Sequence, residues 1–263
     1  MTQRFANKVV VITGAGSVGP GWGNGRAAAV AFAREGATVF GVDRNLTAME
    51  ETAALAGERF FSGECDVLSH ASITAMVAEA KARFGRIDIL VNNVGGSAAG
   101  GPVEMAEEVW DTQIDVNLKS VFLTCKHVLP IMEAQGGGAI VNVASTSGIR
   151  WTGSAQVAYA ASKAGVIQLG RVVAIQYAAR NIRVNTVIPG QMHTPMVEVR
   201  LAGQRAGGDV DALLAQRLAR IPMGFAGDGR DTAAAVLFLA SDDARFVTGT
   251  EIIVDGGMSV RCG

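Results

Sequence analysis

The stretch Lys8-Val9-Val10-Val11-Ile12-Thr13-Gly14-Ala15-Gly16-Ser17-Val18-Gly19-Pro20-Gly21-Trp22-Gly23-Asn24-Gly25-Arg26-Ala27-Ala28-Ala29 decides the fold. It opens as a short β-branched run, passes through six glycines in positions 14–25, and continues into an alanine-rich segment with helical spacing. A glycine loop between a strand and a helix has a specific physical use. Glycine lets the backbone turn tightly and come close to a pyrophosphate, whose charge meets the N–H groups and positive dipole end of the helix. Glycines alone would indicate only a surface turn; the strand and helix on either side make the loop a dinucleotide-binding signature.

Outward from this unit the same alternation repeats. Candidate strands are Lys8–Thr13, Thr38–Asp43, Arg59–Cys65, Ile87–Asn92, Ala139–Ala144, Arg183–Ile188 and Glu251–Val254. Helical patterns fall near Gly25–Glu35, Thr47–Ala56, Ser69–Phe84, Ala106–Gln135, Ala158–Ala179, Asp209–Arg220 and Asp231–Ser241. Repeated βα units predict an α/β fold of the Rossmann type, a doubly wound, seven-stranded parallel sheet with helices on both faces. Nearly continuous apolar strands such as Asp88-Ile89-Leu90-Val91 fit a sheet covered on both sides. Nothing resembling a linker interrupts residues 1–263, so one domain is expected. In such sheets ligands bind beyond the carboxyl ends of the strands, which directs attention to the loops there.

Composition excludes several alternatives. The 33 glycines exceed the roughly 18 that average usage of about 7% would give, yet they follow no three-residue period. A net charge of −1 lacks the clustered basic footprint of nucleic-acid binding, so no nucleic-acid partner is expected. Cys65, Cys125 and Cys262 are odd in number and lack the spacing of a disulfide framework or zinc site. A reducing, cytoplasmic setting fits. No segment offers the ~20 apolar residues of a membrane span, and no metal is implied.

Two constellations carry the chemistry. The second strand ends at Asp43, 18 residues past Gly25 and close to the ~20 expected for a carboxylate bonding the adenosine ribose hydroxyls. Asp43 favours NAD over NADP, because a 2′-phosphate would meet like-charge repulsion, although Arg44 beside it offers such a phosphate a partner. The alternative is that Asp43 caps the helix near Thr47. Further along, Tyr159 and Lys163 stand at i and i+4 on one helix face. A free tyrosine titrates near ~10, and a neighbouring ammonium moves it toward the range where proton exchange is effective. Ser145, at the end of the fifth strand, could hydrogen-bond a substrate oxygen. Singly these would be a packed aromatic, a solvated lysine and a loop serine; together they suggest catalysis.

These residues resemble the short-chain dehydrogenase/reductases over essentially the whole chain. The resemblance rests on Thr13-Gly14 with its loop, Cys65-Asp66-Val67, Asn92-Asn93-Val94-Gly95, Asn117, Ser145, Tyr159-Ala160-Ala161-Ser162-Lys163, Pro189-Gly190 and Thr248-Gly249 with Asp255-Gly256-Gly257. It implies that Tyr159 is the acid/base and that Ser145 orients the reacting oxygen. Lys163 would bind the nicotinamide ribose and lower the pKa of Tyr159, and Asn117 would complete a proton relay or stabilise a helix kink. The cofactor would be NAD, held by Gly14, Ser17, Gly23, Asn24, Gly25, Asp43, Arg44, Asp66, Val67, Asn93, Gly95, Pro189, Gly190 and Thr194, together with Tyr159 and Lys163. The chain departs from the family pattern at Val18–Trp22, which looks like a five-residue insertion if Gly23 and Gly25 are the family glycines. Trp22 then is either a flap over the cofactor or part of a loop packed on the protein.

The segment 191–225, with Gly203, Gly207 and Gly208, resembles the family's substrate lid. Gly96, Ser97, Trp151, Met192, His193 and Met196 are the candidate substrate contacts, His193 as lid packing or catalyst and Arg150 as a solvated residue or an acid-recognising one. The expected activity is NAD-dependent interconversion of a secondary alcohol and a ketone on a mainly apolar small molecule, cyclic and aromatic ones included. The alternatives are an NADPH-dependent 3-oxoacyl reductase and a non-catalytic dinucleotide-sensing regulator. A homotetramer or homodimer is implied, with contacts through the long helices near 106–135 and 158–179.

Overall fold

The computed structural model describes residues 3–201 and 209–262. One sheet contains β1 (Val9–Thr13), β2 (Thr38–Asp43), β3 (Phe60–Glu64), β4 (Ile89–Asn92), β5 (Gly138–Val143), β6 (Ile182–Pro189) and β7 (Glu251–Val254). All neighbours are parallel, in the order β3-β2-β1-β4-β5-β6-β7. The order reverses between β1 and β4, where Thr13 pairs with Asn92 and the two chain directions leave a crevice above the strand ends.

The described α-helices are α1 (Asn24–Arg34), α2 (Glu50–Ala56), α3 (His70–Phe84), α4 (Glu107–Ile114), α5 (Ser120–Ala134), α6 (Val157–Tyr177), α7 (Val210–Leu218) and α8 (Gly229–Ala240). Apolar strand residues pack on both faces because each face has its own helical cover. Phe40, Leu90, Ile140 and Val184 share one core with Ile73 of α3, Val128 of α5 and Val166 of α6. Ile12, Val91 and Val141 share the other with Phe32 of α1 and Val236 of α8. Between the central strands, Asn92 Nδ2 donates to Asn142 Oδ1 at 2.9 Å and Thr124 Oγ1 donates to Asn92 Oδ1 at 2.7 Å, which satisfies the buried Asn92 amide, while Asn142 Nδ2 is buried without a partner.

Two elements differ from the sequence expectation. The pattern over Ala106–Gln135 predicts one helix, but a π-helical turn, Asp115–Lys119, separates α4 from α5. Apolar periodicity is blind to one extra residue in a turn; here that turn carries Asn117, which is fully buried. The helix expected from Thr47 starts as a 3₁₀ turn, Leu46–Met49, capped by the side chain of Asn45. In the 191–225 segment, Val197 packs against Leu213 of α7, while Gly203, Gly207 and Gly208 lie outside the described residues.

Candidate active site

The glycine loop begins where β1 ends. Gly14 adopts φ +70°, and its N–H donates to Val42 O at 2.7 Å, turning the chain toward β2. Gly23 is the N-cap of α1, with no side chain bonding the helix start and no acid in the first turn. The open N–H end of the helix therefore faces the crevice as an anion cradle. Gly25 has no alternative: a Cβ there would collide with Gly14 O. Asn93 braces the loop from β4, its Nδ2 donating to Gly14 O at 2.9 Å. Asn24 Oδ1 is buried in this wall without a hydrogen-bond partner. Gly14, Ser17, Gly23, Asn24 and Gly25 all line a cavity of about 730 Å³, and the glycine backbone with the open N–H end of α1 fits a bound pyrophosphate, whereas the Asn24 oxygen, an acceptor, offers it no hydrogen bond.

Val18–Trp22 is a loop docked on the protein, not a flap. Trp22 packs into the β-sheet's α1/α8 core, Arg230 stacks over its ring at 5.5 Å, and Gly229 N donates to Trp22 O at 3.2 Å. A Cβ on Gly229 would be 2.6 Å from Trp22 O, so the helix start accepts the loop only as glycine. Arg26, 2% exposed, reaches back from α1 to donate to Gly21 O at 2.7 Å and to pair with Glu51 at 2.6 Å. Trp22 does not line the cavity, whereas Val18 does.

The part of the cavity beside the glycine loop is assembled from the ends of β2 and β3. Asp43 accepts from Gly16 N–H at 3.3 Å and from Asn45 N–H at 3.1 Å, which holds its carboxylate toward the glycine loop. The helical cap is Asn45, so capping is not the role of Asp43. Arg44, Asp66, Val67 and Asn93 line the same cavity, as does Gly95.

Further along the cavity the remaining groups converge around Gly95. A Cβ on that residue would stand 2.8 Å from Asn117 Oδ1 and 3.0 Å from Lys163 Nζ, so its hydrogen side chain lets the two approach the same point. Asn117 Nδ2 donates to Gly96 O at 3.0 Å and Gln113 O at 2.8 Å, while Oδ1 accepts from Gly96 N at 3.0 Å. Lys163, 2% exposed, donates from Nζ to Val143 O at 2.9 Å and sits 5.8 Å from the ring centre of Tyr159. Burial lowers its pKa to about 8, so at neutral pH it still carries its proton. Tyr159, Ser145, Pro189, Gly190 and Thr194 line the cavity beside it; Asn117 stands behind the lining, in contact through Gly96.

The substrate expectations divide. Gly96, Ser97, Met192 and Met196 line the cavity. Trp151 does not; it is 70% exposed. His193 turns away as well, its N–H bonded to Gly227 O at 2.7 Å and its Nε2 3.2 Å from Glu198 Oε1. Arg150 donates to Met258 O at 2.7 Å instead of facing the cavity. Three of these residues sit in irregular backbone, where sequence position near the site carries no information on which way a side chain points. Sequence reading missed Gln113, Gln156 and Arg217, all of which line the cavity. A signal existed for Arg217, since it lies at i+4 from the buried Leu213 on one face of α7.

A dinucleotide cradle at the sheet reversal, continuous with a pocket that ends on a tyrosine and a buried lysine, defines the class of nucleotide-dependent oxidoreductases. The family model described as enoyl-(acyl carrier protein) reductase matches residues 20–259. The chain is 40% identical over 261 residues to the 3-oxoacyl-(acyl-carrier-protein) reductase FabG of Thermotoga maritima, covering 98% of this chain and 100% of the relative. It is 38% identical over 265 residues to levodione reductase of Leifsonia aquatica, covering 98% and 96%. A crystal structure from Burkholderia xenovorans, provisionally assigned as a short-chain dehydrogenase/reductase, superposes with a TM-score of 0.93 at 60% identity over 99% of both chains. The chain belongs to the short-chain dehydrogenase/reductase family, whose members are NAD(P)-dependent oxidoreductases acting on secondary alcohols and ketones. No described helix is long and apolar enough to cross a membrane.

Proposed function

We propose that the protein is an NAD-dependent dehydrogenase/reductase that interconverts a secondary alcohol and a ketone on a small, mainly apolar molecule, with Tyr159 as acid/base. The observation that carries this is the buried, still-protonated Lys163 with its Nζ 5.8 Å from the Tyr159 ring centre, inside the cavity that also contains Ser145. When bound, the dinucleotide supplies the two-electron hydride chemistry at its nicotinamide ring. The protein's residues handle the rest. Ser145 holds the reacting oxygen, and Tyr159 takes the hydroxyl proton during oxidation and returns it during reduction. Lys163 lowers the cost of the phenolate through its charge, in a wall where water screens little. Asn117 fixes the Gly96 backbone beside it and keeps the π-helical turn open toward that group.

Gly14, Ser17, Gly23, Asn24 and Gly25 hold the pyrophosphate in this reading, Asp66, Val67, Asn93 and Gly95 the adenosine side, and Pro189, Gly190 and Thr194 the nicotinamide end. Asp43, fixed by two N–H groups, supports NAD over NADP. Residues 191–225 act as the lid, with Met192, Met196 and Val197 giving its cavity wall an apolar face. Phe122 on α5 and Val172 and Ile175 on α6 are exposed apolar residues that support a homotetramer or homodimer through these helices, checked by sedimentation.

Turnover of NAD and NADH, each against NADP and NADPH, with a panel of secondary alcohols and ketones tests the reading. Tyr159→Phe lowers turnover by about 10²–10⁴-fold, and cofactor titration of the same variant checks that it still folds and takes up the dinucleotide. Undiminished turnover in that variant overturns the mechanism. The second reading, an NADPH-dependent 3-oxoacyl reductase, is favoured by the similarity to the Thermotoga relative and disfavoured by Asp43; a preference for NADPH in the same assay would select it.

A further inference from the structure

The chain has three histidines, His70, His127 and His193, and the proton-transfer scheme uses none of them. His193 pairs with Glu198, but the other two meet each other. His70 opens α3 and His127 lies in the middle of α5, 57 positions further on, yet their Nε2 atoms stand 2.7 Å apart and their ring centres 4.9 Å apart. His70 is exposed and His127 half-buried, and neither lines the cavity that contains Ser145 and Tyr159. The two helices are packed together beneath the rings, with Ile73 of α3 and Val128 of α5 in one apolar core. His127 follows Phe122 by five residues, about 140° round the helix, so it lies off the exposed apolar face of α5.

Two imidazole nitrogens this close need something between them. Two protonated rings would repel, and no carboxylate is bonded to either ring to hold an imidazolium in place. A single N–H···N bond contributes little where water competes for both partners. Among the described residues nothing bonds either Nδ1, so each ring is free to carry its proton there and to present its Nε2 lone pair to the shared point. The neutral form is favoured at His127, where burial, followed by His70 and Lys126, lowers the pKa. Thr74 Oγ1, one turn along α3, donates to His70 O at 2.9 Å and stands 3.4 Å from His127 Nε2, which adds a neutral oxygen beside the pair.

We infer that His70 and His127 form a two-imidazole clamp for a divalent transition cation of the zinc or nickel class, with water completing its coordination. Imidazole nitrogen suits these ions, whereas magnesium and calcium take oxygen. With metal–nitrogen distances of about 2.0–2.1 Å and an angle of about 90–109° at the metal, the two nitrogens sit about 2.9–3.4 Å apart. From 2.7 Å the rings reach that spacing by a small rotation of two surface side chains. Among the described residues no group of three or more histidine, cysteine, aspartate or glutamate side chains could hold a metal, so the clamp is an open, exchangeable site and not a closed structural one. It lies apart from the reaction proposed above and does not depend on it. A cation there would fasten the start of α3, which is bonded in turn to the cavity wall: Ser69 N donates to Asp66 O at 3.0 Å, and Asp66 N to Ser72 Oγ at 3.0 Å.

Calorimetry with zinc chloride and nickel chloride, on the untagged full chain after treatment with a chelator, tests the clamp. The background is Cys262→Ser, because the exposed thiol is a competing ligand, and magnesium chloride is the control. Two of the four ligands of a structural zinc site give about half its binding free energy, so one cation per chain binds with a Kd on the order of 10 µM. His70→Gln and His127→Gln each weaken that binding by at least about 10-fold, and thermal unfolding without metal shows that each variant folds. His70→Asn or His127→Asn replaces a variant that does not. Absence of zinc and nickel binding below about 1 mM, or an affinity unchanged in both variants, overturns the clamp. Loss in one variant with the other unchanged assigns the cation to a single ring and overturns it too. So does magnesium binding as tightly as zinc, since imidazole does not select magnesium.

Discussion

Lys163→Met exposes a conflict between stability and chemistry built into this site. Burial lowers the lysine pKa from 10.5 to about 8, so folding the protonated side chain below that pH costs about 3 kcal/mol at ~1.4 kcal/mol per pH unit. The sign follows from proton binding. Below about pH 8 both folded and unfolded chains hold the proton and the cost is fully present; between about 8 and 10.5 the unfolded chain binds more protons, so stability rises with pH; above 10.5 the cost has gone. Methionine has a similar shape and no charge, and its main loss is the hydrogen bond to Val143 O, worth about 1 kcal/mol. The variant is therefore expected to be about 2 kcal/mol more stable than the wild type at pH 7, with the advantage closing or reversing near pH 10. Urea unfolding of the cofactor-free protein, at one protein concentration and at both pH values, measures the difference. Turnover in the same variant collapses. A variant less stable at pH 7, or an advantage that stays constant up to pH 10, refutes the account of the buried charge.

Three further outcomes are expected. Gly25→Ala forces a Cβ against Gly14 O and lowers cofactor affinity at least about 10-fold with a stability loss of about 1–3 kcal/mol, read by fluorescence titration and urea unfolding. Asp43→Ala raises the NADP-to-NAD ratio of kcat/KM by about 10-fold or more, since it removes the carboxylate that would repel a 2′-phosphate; an unchanged ratio would relocate cofactor selection to another residue. Thiol titration of the native protein finds one rapidly reacting cysteine, Cys262, because burial raises the Cys65 thiol pKa and pushes Cys125 to about 12. Under denaturant three react, matching the composition.

Most of the sheet was legible because its strands are written as short β-branched runs between glycines. Thr38–Asp43 and Glu251–Val254 match residue for residue, and the ends of the other strands moved by one or two positions, where pairing rather than composition sets the limit. Tyr159 and Lys163 were legible for the same kind of reason: four residues on a regular helix have one spatial meaning. Trp151, His193 and Arg150 show where that logic stops. They occupy irregular backbone, and without periodicity their proximity in sequence to the site did not place their side chains in it. The π-helical turn at Asn117 was hidden because a single added residue changes hydrogen-bond register without disturbing composition. Arg217 was missed because an arginine on an amphipathic helix reads as solvated, and its i+4 spacing from Leu213 carries weight only once Leu213 is known to be buried.

The docking of Val18–Trp22 has a practical consequence for transplanting cofactor loops between related enzymes. The inserted residues lean on Gly229 and Arg230 of α8, are fastened by Arg26 of α1, and bring Gly19 and Gly21 so close to Pro195 that a Cβ on either would stand 3.6 Å from its ring. These partners lie as far as two hundred positions away along the chain. A graft that moved only the contiguous glycine segment would leave its anchors behind, and one that trimmed it to the family length would leave Trp22's socket empty and Arg26 without its carbonyl. In this protein the portable unit is a discontinuous one: residues 14–26 together with the start of α8 and the turn at Pro195.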